Sequence, residues 1–330
     1  MRSLDVHTHV LPPELPRWSP IRLEQVDDCR ARMLREDGTV FREIESNCWD
    51  PAQRLRECDA AGVGVQVLST VPVLFAYQLP RERGHDLARM LNDHVAGLCA
   101  AHRRRFIGLG TLPLQSPDLA VLELERCMDL SLAGVQIGTH VNAWNLSDAS
   151  LFPVFARAAE LGAAVFVHPW DMMAEERMRK YWLPWLVGMP AEVSLAICSV
   201  IFGGVLERLP NLRIAFAHGG GAFPGTFGRV EHGFRARPDL VAADNPHPPS
   251  AYLKRIYVDS LVHDLRALRL VLDLFGPERV ALGSDYPFPL GEARPGALIE
   301  AAGLVPAVRD RLRAGTALEW LGRAASDYDL

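Results

Sequence analysis

Residues 4–9 read Leu4-Asp5-Val6-His7-Thr8-His9, a short run near the start of the chain that ends in two histidines one residue apart. A β-strand repeats every two residues, so side chains at positions 7 and 9 leave the same face and can hold one metal ion between them. An isolated H-x-H has a plainer alternative, two histidines hydrogen-bonded in a core, and the rest of the chain must decide. Comparable β-rich runs recur at Val63 to Thr70, Phe106 to Leu112, Gly134 to Thr139, Ala164 to His168, Leu212 to His218, Ile256 to Leu261 and Val280 to Ser284. Between them lie stretches with helical spacing of Leu, Ala and charged residues, such as Pro51 to Ala61, Arg83 to His102, Leu119 to Leu130 and Leu151 to Leu161. Asp50-Pro51 and Ser116-Pro117-Asp118 supply helix-start chemistry. Eight strands alternating with helices predict an α/β fold, a (β/α)8 TIM-like barrel in which residues 1–330 form one domain.

Two stretches exceed a minimal barrel: about 11–47 after the first strand and about 171–210 after the fifth. Insertions that follow barrel strands lie on the catalytic face, so both are expected to roof the active site. The Pro-rich stretch 245–249 reads as a loop, and no internal repeat is apparent.

Composition narrows the function. The 330 residues are 49% hydrophobic and 23% charged with a net charge of -5, a mildly acidic balance that points to neither a nucleic acid nor a membrane partner. No apolar stretch approaches the roughly 18 residues that span a bilayer. Leu186 to Val205, interrupted by small residues, reads as a helical surface for burial or self-association. The chain start leads directly into a strand instead of a signal-peptide core, and the expected location is cytoplasmic. Six cysteines without C-x-x-C spacing argue for reduced thiols, and Cys48 beside Trp49 is read as inert more readily than as a nucleophile.

If the barrel is right, functional side chains belong at the strand ends. The fifth run ends in Val167-His168-Pro169-Trp170, the sixth in Ala217-His218-Gly219-Gly220-Gly221, and the eighth in Gly283-Ser284-Asp285-Tyr286-Pro287. His7, His9, His168 and Asp285 make a nitrogen-rich set with one carboxylate, suited to Zn2+ or another divalent transition metal that activates water. His218 is left over and suits a general acid/base, although a further ligand is the other reading. Arg42 and Arg229 could hold an anionic substrate through their guanidinium forks, against the default of a solvated or salt-bridged arginine. Trp182, Trp185 and Phe288 could line a pocket for a planar substrate, with core or interface packing equally open.

These residues resemble the amidohydrolase superfamily. Longer blocks resemble, within it, the 2-amino-3-carboxymuconate-6-semialdehyde decarboxylase family: Asn47-Cys48-Trp49-Asp50-Pro51, residues 68–73, 108–113, 168–172, 180–190, 216–224 and 285–291. The resemblance implies a zinc-dependent, non-oxidative decarboxylase of kynurenine-route tryptophan catabolism, with metal ligands at His7, His9, His168 and Asp285 and a catalytic His218. It implies carboxylate contacts from Arg42 and Arg229, a pocket tryptophan at Trp185, and a homodimer in which Arg229 reaches the neighbouring subunit's site. The sequence departs from the family mainly in Leu23 to Asp37 and the C-terminal helices, which bears on substrate preference. Decarboxylation of a related aromatic or conjugated acid, or amide or lactone hydrolysis, uses the same ligand set.

Overall fold

A computed structural model describes residues 2–330; Met1, the first residue of the N-terminal lead-in, lies outside the described residues. Eight strands form one parallel sheet in sequence order: β1 (Ser3–Val10), β2 (Val63–Thr70), β3 (Phe106–Thr111), β4 (Gly134–Gly138), β5 (Ala164–His168), β6 (Arg213–Phe216), β7 (Ile256–Asp259) and β8 (Val280–Ala281). The sheet closes on itself through three backbone bonds between the first strand and the segment that continues the last. Val6 N–H donates to Leu282 O at 2.9 Å, Asp285 N–H to His7 O at 2.8 Å, and His9 N–H to Tyr286 O at 2.8 Å. Asp5 reinforces this seam by accepting from Ser284 N–H at 3.0 Å and Ser284 Oγ–H at 2.5 Å. Barrel closure therefore runs through the residues singled out as metal ligands.

Alternation explains how an almost wholly apolar strand still delivers a histidine. On β5, Val165 and Val167 join the buried layer between sheet and helices, while Ala164 and Phe166 join the inner layer. His168 has the inner parity and emerges at the rim. Trp320 closes the opposite end, 1% exposed, with its indole N–H donating to Arg213 O at 3.2 Å. Burying an aromatic of this size contributes on the order of 2–3 kcal/mol.

The helices follow from local chemistry. In α1 (Pro51–Ala61), the Asp50 side chain accepts from Ala52 N–H, Pro51 occupies the first turn, and Gly62 ends the helix at φ 72°. The helices α2 (Arg81–Ala101), α3 (Pro117–Asp129) and α4 (Phe152–Leu161) follow the next three strands. Five of the eight runs are shorter as regular strands than their sequence suggests, the sixth and the eighth most of all. The sixth stops at Phe216 because residues 218–221 all take left-handed backbone, and the eighth stops at Ala281 although its continuation still bonds to β1.

The first insertion is itself a three-stranded antiparallel sheet, Ile21–Asp27, Arg30–Arg35 and Val40–Glu45. In the last of these, Ile44 is buried while Glu43 and Glu45 are exposed, so Arg42 shares the inward parity of Ile44. The second insertion divides in two. Residues 171–188 stay on the rim, but α5 (Met189–Phe202) buries Val193, Ala196, Ile197, Val200 and Ile201 in the main core as a barrel helix. Pro184–Phe202 is a continuous 19-residue helical run, long and apolar enough by composition to cross a membrane. That corrects the expectation that no stretch approaches such a length: small residues that look like interruptions in the sequence are accommodated where the helix packs on the barrel.

Candidate metal centre and active site

His7, His9 and His168 converge at the rim, with ring centroids 4.9–5.1 Å apart. Each has its Nδ1 committed to an oxygen: His7 to Asp259 Oδ2 at 2.7 Å, His9 to Thr70 O at 3.1 Å, and His168 to Pro169 O at 2.9 Å. Those acceptors place the proton on Nδ1 and leave Nε2 as a bare lone pair. All three Nε2 atoms are buried without a hydrogen-bond partner. With a carboxylate oxygen of Asp285 they lie within 4.8 Å of one another. Three orphaned lone pairs and one carboxylate around a single point are a donor set that fits a divalent cation. The demand for positive charge is visible electrostatically. Burial disfavours a charged His7, but the Asp259 and Asp285 carboxylates outweigh it and raise its pKa to about 10. A divalent ion meets the same demand with the imidazole neutral. For Asp285, burial opposes ionisation, but the two histidines beside it hold its carboxyl well below the usual range.

Asp259 was not singled out from the sequence, and it organises the site. Besides His7, its carboxylate accepts from the backbone N–H of His218 at 2.9 Å and of Gly219 at 2.8 Å. This anchors an unusual turn, in which His218 has φ 57° and Gly219, Gly220 and Gly221 have φ 62°, 81° and 61°. Left-handed backbone costs a non-glycine residue about 1–3 kcal/mol, whereas each hydrogen bond to a charged carboxylate returns about 1.5–3 kcal/mol. Two such bonds hold His218 in place. At Gly221 a Cβ would lie 2.5 Å from Pro190 O, so glycine is required there. The signal for Asp259 was present: it ends the seventh strand, as the predicted ligands end theirs.

The His218 ring lies 5.1 Å, centroid to centroid, from both His7 and His168, outside the four-ligand group. It has no hydrogen-bond partner among the described residues, and burial foremost lowers its pKa to about 4. It is thus a neutral imidazole near pH 7, free to take and return a proton.

Above the ligands lies a small, partly open pocket whose walls include His9, His168, Asp285, Arg42, Trp185 and Phe288. The Arg42 guanidinium sits 4.4 Å from the Phe288 ring and 5.9 Å from the Trp185 ring. It has no ion pair or hydrogen bond among the described residues, and burial lowers its pKa. Trp182 and Trp185 also border the wider groove that leads outward past Arg17, Arg35 and Arg83. Arg229 is placed differently. It lies exposed on α6 (Phe223–Ala236), outside this chain's own cavity. Cys48 is buried, and burial pushes its thiol up to about 12, which fits an inert residue.

Metal-ligand geometry at the rim of a (β/α)8 barrel defines a class of metal-centred enzymes. The chain belongs to the amidohydrolase family, whose profile matches residues 4–323, and within it to the 2-amino-3-carboxymuconate-6-semialdehyde decarboxylase family. It is 52% identical over 335 residues to 2-amino-3-carboxymuconate-6-semialdehyde decarboxylase of Dictyostelium discoideum, a match covering 99% of this chain and 93% of that one. The protein of the same name from Caenorhabditis elegans is 36% identical over 356 residues, covering 91% and 88% of the two chains. Among solved structures, 5-carboxyvanillate decarboxylase from Sphingomonas paucimobilis matches with a TM-score of 0.79 and 28% identity, over 84% of this chain and 85% of that one.

Proposed function

We propose that this protein is a metal-dependent, non-oxidative decarboxylase that converts 2-amino-3-carboxymuconate-6-semialdehyde to 2-aminomuconate-6-semialdehyde and CO2 in the kynurenine route of tryptophan catabolism. The observation that carries this reading is Arg42: a half-buried, unpaired guanidinium between two aromatic rings, lining the same pocket as His9, His168 and Asp285 of the metal-competent group. A half-buried cation without a partner is matched when a carboxylate enters. Phe288 and Trp185 offer flat walls to a conjugated body.

A divalent ion held by His7, His9, His168 and Asp285 supplies Lewis-acid activation of water and of the substrate's anionic groups. The chain's own residues do the rest. Arg42 fixes a carboxylate, and the tryptophans at the mouth limit the entry of bulk water. His218 takes up a proton within the site and returns it to the carbon whose bond to the carboxylate breaks. That bond's electron pair stays on the conjugated carbon, CO2 leaves, and the proton takes its place. Three imidazole nitrogens with one carboxylate suit Zn2+, and metal analysis of protein purified without added metal distinguishes it from manganese.

We infer also a homodimer. Arg229 is exposed and unpaired among the described residues, this chain's own cavity holds only Arg42 as a cation, and Leu186 and Val187 are 50% and 53% exposed beside the mouth. In that assembly Arg229 serves the neighbouring site. Six free cysteines accord with a reducing, cytoplasmic setting.

Product analysis tests the reaction. Incubated with freshly generated 2-amino-3-carboxymuconate-6-semialdehyde, the metal-loaded protein is expected to release one CO2 per substrate consumed, faster than spontaneous cyclisation. Loss of substrate without CO2, or no acceleration, overturns the assignment. Arg42→Met keeps the stem and removes the charge. Losing a charge-assisted contact of about 1.5–3 kcal/mol corresponds to a fall in kcat/KM of about 10- to 150-fold, with metal content unchanged.

A further inference from the structure

The mechanism makes no use of Arg54, yet it is 1% exposed, among the largest fully buried side chains. It lies on α1 and points at the back of the barrel seam. No carboxylate lies within ion-pair distance of its guanidinium among the described residues. Instead Nη2–H donates to the backbone oxygen of His9, and Nη1–H donates to Gln66 Oε1 at 3.1 Å and Thr8 Oγ1 at 3.4 Å. Its central carbon lies 4.8 Å from the centroid of the Tyr286 ring. Tyr286 in turn gives its hydroxyl proton to Glu57 Oε2 at 2.5 Å, one turn along the same helix. Glu57 is steadied by Asn47 Nδ2–H at 3.1 Å and Gln53 Nε2–H at 2.6 Å.

This places Arg54 across the junction where the sheet closes. On one side it grips the carbonyl of His9; on the other it stacks on the residue that follows Asp285. His9 and Tyr286 are themselves joined by the 2.8 Å backbone bond that seals the barrel. Two metal-competent side chains, from opposite ends of the sequence, thus share one support. Burying a guanidinium without a counter-charge costs several kcal/mol, and an apolar side chain would fill the same space without that cost. Its donors reach acceptors on β1 and β2, and its flat face meets Tyr286 in the segment that continues β8; no aliphatic side chain makes those contacts together.

We propose that Arg54 is a positioning residue for the metal centre, setting the distance between the His9 and Asp285 ligands by clamping the β1/β8 seam. The inference rests on the metal-centre reading. Metal affinity, measured by competition with a chromophoric chelator, and the visible spectrum of the Co2+-loaded protein are the readouts, alongside thermal melting of the metal-free chain. Outer contacts of metal ligands typically contribute about 10- to 100-fold in metal affinity. Arg54→Met is expected to lose affinity in that range and to alter the Co2+ spectrum. Arg54→Lys, which keeps the charge on a single donor nitrogen but not the planar fork, recovers part of the loss. Tyr286→Phe keeps the stacking ring and stays near the parent.

A lower melting temperature with parent affinity and parent spectrum in both Arg54 variants overturns the proposal, because that is the signature of packing alone. Where Arg54→Met does not fold, Arg54→Lys and Tyr286→Leu decide by the same two readouts. A parent chain that takes up neither Co2+ nor Zn2+ overturns the metal centre itself, an outcome distinct from unchanged affinity in the variants.

Discussion

Replacing His218 with alanine is expected to lower turnover by about three orders of magnitude, within the span typical for loss of a positioned proton-transfer group, while the protein still binds its metal. The reason is geometric. Nε2 of His7, His9 and His168 meets an Asp285 oxygen within a 4.8 Å group that excludes His218. The His218 ring stands beside that group with no fixed partner, held by its backbone bonds to Asp259. Steady-state rates and metal analysis on the same preparation check this. Loss of metal in step with activity would make His218 a ligand, and near-parental turnover would remove it from the reaction. His218→Asn, which keeps polarity but not the titrating ring, is expected to match the alanine variant.

Asp285→Asn should have the opposite profile, losing metal and activity together. Asp285 contributes the only carboxylate in the ligand group, with Oδ1 3.0 Å from His9 Nε2 and 3.4 Å from His7 Nε2. Removing its charge leaves three neutral donors. Loss of an outer contact to a metal ligand costs about 10- to 100-fold in affinity, so losing this ligand's charge should cost more than about 100-fold. Chelator competition measures it. Excess metal should restore part of the Asp285→Asn activity and none of that lost in His218→Ala, a contrast that separates holding the metal from moving the proton.

Much of this arrangement is legible in the chain. Parity brings His7 and His9 to one face, and β5 repeats the device by sending Phe166 inward and His168 to the rim. Asp285 and His218 are legible as polar residues closing apolar runs, although both depend on left-handed backbone, at φ 59° and 57°, that spacing does not reveal. Asp259 carries the same signal and escaped because its run reads on past it to Leu261, which places it inside the run and not at its end. The strands of the first insertion carry charged residues at alternate positions, with Ala31, Met33 and Ile44 turned inward, and Arg42 gains its meaning from sharing the parity of Ile44. Arg54 is the hardest to read. A helical arginine flanked by Gln53 and Glu57 looks solvated, and only the closure of β8 onto β1, residues more than 270 positions apart, makes its surroundings a core.

One metal-centred pocket in this chain is proposed to remove CO2 from an anionic conjugated substrate. The most direct measurement is a titration of metal-stripped protein with Zn2+ while CO2 formation from 2-amino-3-carboxymuconate-6-semialdehyde is followed. The expected result is no catalysed CO2 without metal, then a linear rise that ends at one bound ion per chain. Full turnover by the stripped protein, or no catalysed CO2 at full loading, would contradict it.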